Sequence, residues 1–207
     1  MILMYHKVDV ITPTIWWVSP EDLERHLASL GERKFVYLED YRPGGDHVVL
    51  TFDDAYENVY RHAFPILRRL GIPFEVFIIG NAIGDWNDFD RGEPKTRHMD
   101  IDQLLEIASG GARIQWHTRS HPDLPSIADA DVEFELEVPE ELRRLFPAPH
   151  FSWLSYPGGA HDDRSVSAAR RKFSGAVSVI DGKPDDRWQL NRITVDRFTA
   201  LSRGGAT

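Results

Sequence analysis

The chain has 207 residues, of which 42% are hydrophobic and 28% charged, with a formal net charge of −9 and no cysteine. This composition is that of a globular domain and excludes a disordered or fibrous chain. An acidic chain gains nothing from releasing phosphate counterions, so nucleic acid is not an expected partner. Without cysteine, thiolate catalysis and iron–sulfur clusters are excluded, and any metal must be held by histidine and carboxylate side chains.

The chain contains no apolar run of the length that a transmembrane helix requires. Its first residues, MILMYHKV, lack the basic start and the long apolar stretch of a signal peptide. We therefore expect a cytoplasmic protein without a membrane span, although a trimmed extracytoplasmic chain would have the same features. None of these features predicts the oligomeric state.

Short apolar runs alternate with helical patterns in the first part of the chain. Strands are predicted at Ile2–Tyr5, Phe35–Leu38, His47–Phe52 and Phe74–Ile79, and helices at Pro20–Leu30 and Asn58–Leu70. The first helix has Ser19 as its N-cap and a proline in its first position, and it stops before Gly31. The run HVVLTF is rich in β-branched and aromatic residues, which is typical of a buried strand.

A polar segment rich in glycine and aspartate, 80–99, follows the fourth predicted strand. Loops of this length inside a compact domain are usually functional, so we expect it near a functional site. The alternation then continues, with strands at Arg113–His117, Phe151–Tyr156, Ala176–Ile180 and Asn191–Val195 and helices at Asp100–Ser109, Asp129–Phe146 and Asp162–Lys172.

This alternation predicts an α/β fold of about seven parallel strands joined by right-handed crossovers, in one domain that spans residues 1–207. An open doubly wound sheet and a closed or nearly closed barrel both fit the pattern. The chain is short for a complete eightfold barrel. No glycine-rich phosphate loop follows the first strand, which weakens a dinucleotide-binding interpretation.

Polar residues suited to catalysis cluster where predicted strands end. Asp53 and Asp54 follow one strand, His117 ends another, and His121 comes four residues later. The carboxyl ends of parallel strands converge on one face, so we expect these side chains to meet. Each pair alone has an ordinary explanation, because adjacent acids often cap a helix and paired histidines can lie on a surface. Together, one aspartate and two histidines form a three-ligand site with an open position, which is typical of a catalytic metal.

Several motifs occur in an order that resembles a known family. They are Met4-Tyr-His-Lys-Val8, Thr51-Phe-Asp-Asp54, Pro73-Phe-Glu-Val-Phe-Ile-Ile-Gly80, His117-Thr-Arg-Ser-His121, Tyr156-Pro-Gly-Gly159 and Asn191-Arg-Ile-Thr-Val195. The chain resembles the polysaccharide deacetylase family (NodB-homology domain, carbohydrate esterase family 4), and in particular its shorter Tyr-Pro-x-Gly members. The resemblance spans nearly the whole chain, and the pairing of Asp-Asp with His-x-x-x-His is its most specific part.

The resemblance implies a distorted, incomplete (β/α) barrel and a metal-dependent hydrolase that removes an N-acyl group, usually acetyl, from an amino sugar of a polysaccharide or glycoconjugate. It implies Asp53 as the general base, with Asp54, His117 and His121 as ligands of one divalent ion. Zinc is the expected ion, with cobalt or nickel as alternatives, and an amino-sugar saccharide is the expected partner. Two alternatives remain open: a deformylase acting on a nucleotide- or lipid-linked sugar, and a non-catalytic carbohydrate-binding relative.

The chain departs from the family pattern in three ways. Ser155 stands where the family often has an arginine that steadies the catalytic aspartate, so Arg192 is expected either to take that role or to be a plain surface residue. Gly158 replaces a tyrosine that lends its backbone N–H to the oxyanion, and glycine retains this donor. The late Leu-His-Asp segment that supplies a general acid is missing. His6 and His161 are the candidate replacements, each with an ordinary structural alternative.

Aromatic side chains are the expected sugar contacts. The candidates are Trp16, Trp17, Trp86 and Tyr156. Aromatic rings stack on sugars, but core packing is at least as common for paired tryptophans. The acidic residues around Trp86, which are Asp85, Asp88 and Asp90, predict a solvated acidic loop.

Overall fold

Strands and helices alternate along the chain in the computed structural model, which describes residues 1–180, 182–183, 185–202 and 205–206. Residues 181, 184, 203, 204 and 207 of the predicted 1–207 domain lie outside the described residues. The strands are β1 (Ile2–Tyr5), β2 (Lys7–Val8), β3 (Trp17–Val18), β4 (Lys34–Phe35), β5 (His47–Phe52), β6 (Phe74–Ile78), β7 (Ala112–Trp116), β8 (Trp153–Ser155), β9 (Gly175–Ser178), β10 (Leu190–Asn191), β11 (Ile193–Thr194), β12 (Leu201–Ser202) and β13 (Gly205–Ala206). The helices are α1 (Pro20–Ser29), α2 (Phe64–Leu70), α3 (Ile101–Ser109), α4 (Asp129–Glu135), α5 (Glu140–Leu145) and α6 (Asp163–Lys172). Among the described residues, none of the helices combines the length and apolarity needed to span a bilayer.

The main sheet curls into a nearly closed barrel. Its parallel strands run in the order β10-β9-β8-β7-β6-β5-β1-β11, with β4 paired to β5. The two ends of this order, β10 and β11, are separated in the chain by Arg192 alone. The sheet closes on itself because Leu190 pairs with Val177 of β9 while Ile193 pairs with Leu3 of β1. The predicted α/β fold, a distorted, incomplete (β/α) barrel in a single domain, is confirmed.

The helix predicted at 129–146 is wrong as one element. The structure has two helices there, α4 and α5, separated by a break that ends at Pro139. Proline lacks the backbone N–H that a helix interior requires, and it disfavours helical dihedrals at the preceding residue. The apolar periodicity continues across the break, which is why the sequence pattern suggested one helix.

The strand predicted at 35–38 is also shorter than expected. β4 ends at Phe35, and Leu38 begins a single turn of 3-10 helix. The helix predicted at 58–70 begins with a π-helical turn, Val59–Ala63, which continues into α2.

The barrel separates two hydrophobic cores. The inner core consists of alternate strand residues, among them Ile2, Val49, Phe77 and Trp153. The larger core packs the outer face of the sheet against the helices. Because side chains alternate along a strand, Asp53 continues the inward-facing series of Val49 at the carboxyl end of β5. The same alternation that builds the inner core therefore aims polar side chains at the barrel mouth.

A buried carboxyl group, Glu75, lies inside the barrel away from the mouth. It accepts hydrogen bonds from the Leu38 N–H (2.8 Å) and from the Gln115 side-chain amide (2.7 Å), and Gln115 accepts one from the Trp153 N–H (2.9 Å). Burial raises the pKa of Glu75 from 4.5 to about 7. The group is therefore protonated at mildly acidic pH and becomes a costly buried charge at alkaline pH.

We predict that this carboxyl makes folding stability fall as pH rises from about 5 to 8. The native state holds the proton more tightly than the unfolded chain, so the stabilisation is complete below pH 4.5 and is lost through pH 7. Relative to Glu75→Gln, the wild type should lose about 3 kcal/mol over this range. Urea unfolding at several pH values measures the difference, with the exposed Glu140→Gln as control. Parallel pH curves for wild type and Glu75→Gln would contradict the prediction.

Candidate active site

The barrel opens into a cavity of about 230 Å³ at the carboxyl ends of its strands. Residues that the sequence analysis selected from distant parts of the chain line this cavity together: His6, Trp16, Asp53, Asp54, His117, His121, Gly158 and Arg192. Lys7, Phe89 and Asp90 also line it. The parallel arrangement of the strands brings these side chains to one mouth, as expected for this architecture.

Asp53 is held by a bidentate ion pair with Arg192. Arg192 Nη1 and Nη2 donate to the two carboxylate oxygens at 2.7 and 2.6 Å. Both side chains are buried. Arg192 Nη2 also donates to the Ser155 hydroxyl (2.8 Å), which donates to Asp53 Oδ2 (3.2 Å), and Nη1 donates to Thr51 Oγ1 (3.1 Å). The structure thus places the cation expected at Arg192 directly on Asp53, and it gives Ser155 a contact that the sequence analysis missed.

Asp54, His117 and His121 form a compact cluster beside this ion pair. One potential ligand atom from each residue lies within 4.8 Å of the others. Asp54 Oδ1 is 3.5 Å from His117 Nε2 and 3.9 Å from His121 Nε2. In the described part of the chain, Asp54 Oδ1 is buried without any hydrogen-bond partner. A buried carboxylate oxygen in this state is expected to bind a group that is not part of the protein.

A hydrogen bond to the main chain of Ser155 sets the orientation of the His117 ring. His117 Nδ1 lies 2.8 Å from the Ser155 carbonyl oxygen. A carbonyl can only accept, so Nδ1 carries the ring proton and Nε2 presents a lone pair towards Asp54. Metal-binding histidines are held in this way by a partner on their other nitrogen. Burial lowers the pKa of His117 to about 3, so the ring is neutral, as a metal ligand must be.

The two adjacent carboxyl groups have opposite electrostatic environments. Burial opposes the ionisation of Asp53, but the Arg192 guanidinium holds its pKa well below the usual range. Burial, followed by the charge of Asp53, raises the pKa of Asp54 to about 8. The negative charge of Asp53 is therefore balanced by Arg192, whereas Asp54 needs a further cation to be ionised at neutral pH.

A divalent metal ion fits this donor set. Tetrahedral coordination with bonds of about 2.0–2.2 Å places ligand atoms roughly 3.4 Å apart, and the separations from Asp54 Oδ1 are 3.5 and 3.9 Å. One carboxylate and two imidazoles suit zinc and other borderline divalent ions. Three protein ligands leave a coordination position for water or substrate, which is the arrangement of catalytic sites.

Gly158 lies at the cavity wall in a left-handed conformation, with φ at +58° and ψ at 6°. The adjacent N–H groups of Gly159 and Ala160 bond to Tyr156 and Pro157. No hydrogen bond from the Gly158 N–H occurs within the described ranges. This N–H is therefore available to a ligand, as the predicted oxyanion donor must be.

Trp16 is the predicted sugar contact that the structure brings to the cavity. It is 37% exposed and packs edge-to-face on His6, with the ring centroids 4.9 Å apart. Trp17 is buried instead, with its indole N–H donating to Glu93 (2.8 Å). Tyr156 is fully buried, and its hydroxyl donates to the Trp188 carbonyl (3.0 Å). Neither Trp17 nor Tyr156 reaches the cavity, because both rings are buried in the interior of the protein.

Trp86 is also away from the cavity walls, exposed at 46% and stacked under the Arg97 guanidinium. Of the two candidate acids, His6 lines the cavity, whereas His161 stacks on Tyr156 and bonds to the Gly159 carbonyl (2.9 Å). Burial lowers the pKa of His6 to about 4. The ring of His6 is thus neutral at pH 7 and would have to gain a proton before acting as an acid.

The 80–99 segment forms one side of the cavity and is anchored by a buried lysine. Lys7 Nζ lies 2.8 Å from Asp90 and 3.3 Å from Glu93, and it sits over the ring of Tyr56. The expectation of a solvated acidic loop is therefore wrong for Asp90, which points inward and pairs with this cation. The sequence signal for this contact is Lys7 in the Met4-Tyr-His-Lys-Val8 motif, because an isolated buried cation requires a carboxylate partner.

Comparison with known proteins shows the family of the chain and supports its fold. The sequence profile of the polysaccharide deacetylase family matches residues 40–172, more than half of the chain. The chain belongs to the polysaccharide deacetylase family. It is 26% identical to YxkH of Bacillus subtilis, a provisionally assigned polysaccharide deacetylase, over 99% of this chain and 74% of YxkH.

A second relative and a solved structure extend the comparison. The poly-beta-1,6-N-acetyl-D-glucosamine N-deacetylase of Staphylococcus epidermidis is 26% identical over 82% of this chain and 65% of that enzyme. The fold superposes on the Streptococcus pyogenes deacetylase PplD, which was solved in complex with acetate, with a TM-score of 0.79. This match covers 98% of this chain and 94% of PplD at 23% identity, so it supports the fold alone.

We predict that His117→Ala and His121→Ala each abolish stoichiometric metal binding. Removing one of three ligands leaves too few donors, so bound zinc should fall from about one ion per chain to near none. Metal content after dialysis against zinc measures this, with the half-exposed His62→Ala as the matched control. Unchanged stoichiometry in both cavity variants would rule the three-ligand site out.

Proposed function

We propose that the protein is a metal-dependent hydrolase that removes an N-acyl group, usually acetyl, from an amino sugar of a polysaccharide or glycoconjugate. One observation supports this proposal above all. Asp53, whose charge is balanced by Arg192, lines the same cavity as the cluster of Asp54, His117 and His121, which has no cation of its own among the described residues. A base and an open metal site within one mouth are the components that amide hydrolysis requires.

Each residue has a distinct part in the proposed reaction. When bound, a divalent ion would polarise the acyl oxygen and lower the pKa of a water molecule. Asp53 would accept the proton of the attacking water, and Arg192 would hold its carboxylate in place. The Gly158 N–H would donate to the oxyanion that develops on the acyl oxygen. Trp16 at the rim would cover one face of the sugar ring.

The ion pair with Arg192 has a cost for Asp53 as a base. It keeps the carboxylate ionised throughout the working pH range, since the pKa lies well below its usual value. A low pKa also weakens the driving force for taking up a proton. We therefore expect orientation, rather than basicity, to be the main contribution of Asp53. The acidic limb of a pH–activity profile should then not report this residue.

The direct test is hydrolysis by the zinc-loaded protein. The substrates are β-1,6- and β-1,4-linked N-acetylglucosamine oligosaccharides, with N-formylated analogues alongside them. Release of acetate together with new free amines supports the proposal, and a preference for formate would favour the deformylase alternative. Saccharide binding without any release would contradict it in favour of a non-catalytic relative.

We predict that Asp53→Asn keeps the metal but lowers turnover by roughly two to four powers of ten, because the amide cannot accept the proton. Asp53→Asn leaves the buried Arg192 guanidinium without its carboxylate, so we expect a loss of stability even though Arg192 retains its bonds to Ser155 and Thr51. Turnover, zinc content and thermal unfolding are measured together, with the exposed Asp88→Asn as control. Near-normal turnover of zinc-loaded Asp53→Asn would show that Asp53 is not the base.

We predict different outcomes for two substitutions at Gly158. Alanine keeps the N–H but is strained at φ +58°, so Gly158→Ala should lose about 1 kcal/mol of stability and retain most activity. Gly71→Ala is the matched control, since Gly71 has φ +65° and equally open surroundings. Gly158→Pro removes the N–H and also fixes φ near −65°, so it should lower turnover on the order of a hundred-fold or more. A metal-bound Gly158→Pro protein with full activity would refute the oxyanion role.

A further inference from the structure

The turn that carries Asp54 is strained. Asp54 and Ala55 follow β5 with φ values of 68° and 53°, so two consecutive residues with a Cβ are left-handed. This region disfavours residues that have a Cβ, alanine more than aspartate, and such strain persists only where the surroundings over-determine it. Both residues are buried. Something in the surrounding structure must therefore hold this turn.

The end of the 80–99 segment supplies that support. His98 Nδ1 lies 2.6 Å from the Asp54 carbonyl oxygen, and the Met99 N–H donates to the Ala55 carbonyl at 2.8 Å. The Glu57 N–H in turn donates to the Arg97 carbonyl at 2.8 Å. The carbonyl groups of both strained residues are thus held by consecutive residues of one segment.

The protonation state of His98 follows from its partner. The Asp54 carbonyl has no proton to give, so Nδ1 must carry the ring hydrogen and donate it. Within the described part of the chain, Nε2 is buried and has no hydrogen-bond partner. The ring is stacked between Tyr56, at 4.7 Å between centroids, and Phe89, at 5.8 Å. The bond to Asp54 is therefore the hydrogen bond that determines the rotation of this ring.

We propose that His98 is a positioning residue that holds the Asp54 carboxylate in its metal-binding orientation by donating a hydrogen bond to the Asp54 main-chain carbonyl. This inference rests on the metal site of the proposed function. Releasing the carbonyl lets Asp54 relax about its N–Cα bond, whose φ is 68°, and this rotation swings Oδ1 away from His117 Nε2, now 3.5 Å distant. Outer partners of metal ligands are typically worth ten- to a hundred-fold in metal affinity.

The experiment measures the zinc dissociation constant by competition with a chelator. Two variants separate the hydrogen bond from the packing of the ring. His98→Phe keeps an aromatic ring between Tyr56 and Phe89 but has no donor, so zinc affinity should fall roughly ten- to a hundred-fold. His98→Asn keeps an N–H donor near the position of Nδ1 and should stay within about threefold of wild type. His62→Phe, which changes a histidine outside the cavity, should leave the affinity unchanged.

A third variant tests whether strain is what His98 opposes. Glycine at position 55 adopts φ near 53° without cost, so Ala55→Gly reduces the need for support. Adding Ala55→Gly to His98→Phe should recover at least about threefold in zinc affinity. No recovery would overturn the strain argument. Unchanged zinc affinity in a folded His98→Phe protein, or equal losses in His98→Phe and His98→Asn, would overturn the positioning role.

A spectroscopic measurement on the wild type decides the matter if His98→Phe does not fold. Nitrogen chemical shifts of the labelled histidine should show Nδ1 protonated, with a coupling across the hydrogen bond to the Asp54 carbonyl carbon. An unprotonated Nδ1 would overturn the proposal. Failure of the wild type to bind zinc would instead refute the proposed function, and the tautomer of His98 would still report on the turn.

Discussion

Two carboxyl groups, Asp53 and Asp54, are buried side by side at the end of one strand, and the site is organised around compensating them. An unpaired buried charge is too costly to persist, so each group needs its own partner. Arg192 neutralises Asp53 through two parallel hydrogen bonds. Asp54 faces His117 and His121 instead, and its pKa is raised to about 8. Neighbours in the sequence thus have opposite pKa shifts because their surroundings differ.

Closure of the barrel brings Arg192 next to Asp53. Arg192 lies between the short strands β10 and β11, where the last part of the sheet crosses from β9 to β1. This seam faces Asp53 across the mouth, and the small side chain of Ser155 leaves room for the guanidinium. The hydroxyl of Ser155 then bridges the pair. Arg192 therefore reaches Asp53 from the junction between β10 and β11, and not from the position of Ser155.

The 80–99 segment links this electrostatic arrangement to the backbone. Lys7 anchors the segment through Asp90 and Glu93. Phe89 of this segment packs against His121, with ring centroids 4.7 Å apart. His98 of the same segment bonds to the main-chain carbonyl of Asp54 and so supports the strained turn. This segment thereby contributes to the geometry of both Asp54 and His121.

The alternation of strands and helices could be predicted from the amino-acid sequence alone, and so could the four residues of the Asp-Asp and His-x-x-x-His motifs. Caps, glycine stops and β-branched runs act locally, so they are legible without a structure, whereas the break at Pro139 was hidden by a continuing apolar pattern. The sequence could not predict that Trp16 faces the cavity while Trp17 and Tyr156 are packed away from it. It also could not predict the pairing of Arg192 with Asp53. These outcomes depend on which distant segments meet when the barrel closes, and local sequence patterns carry no information about such contacts.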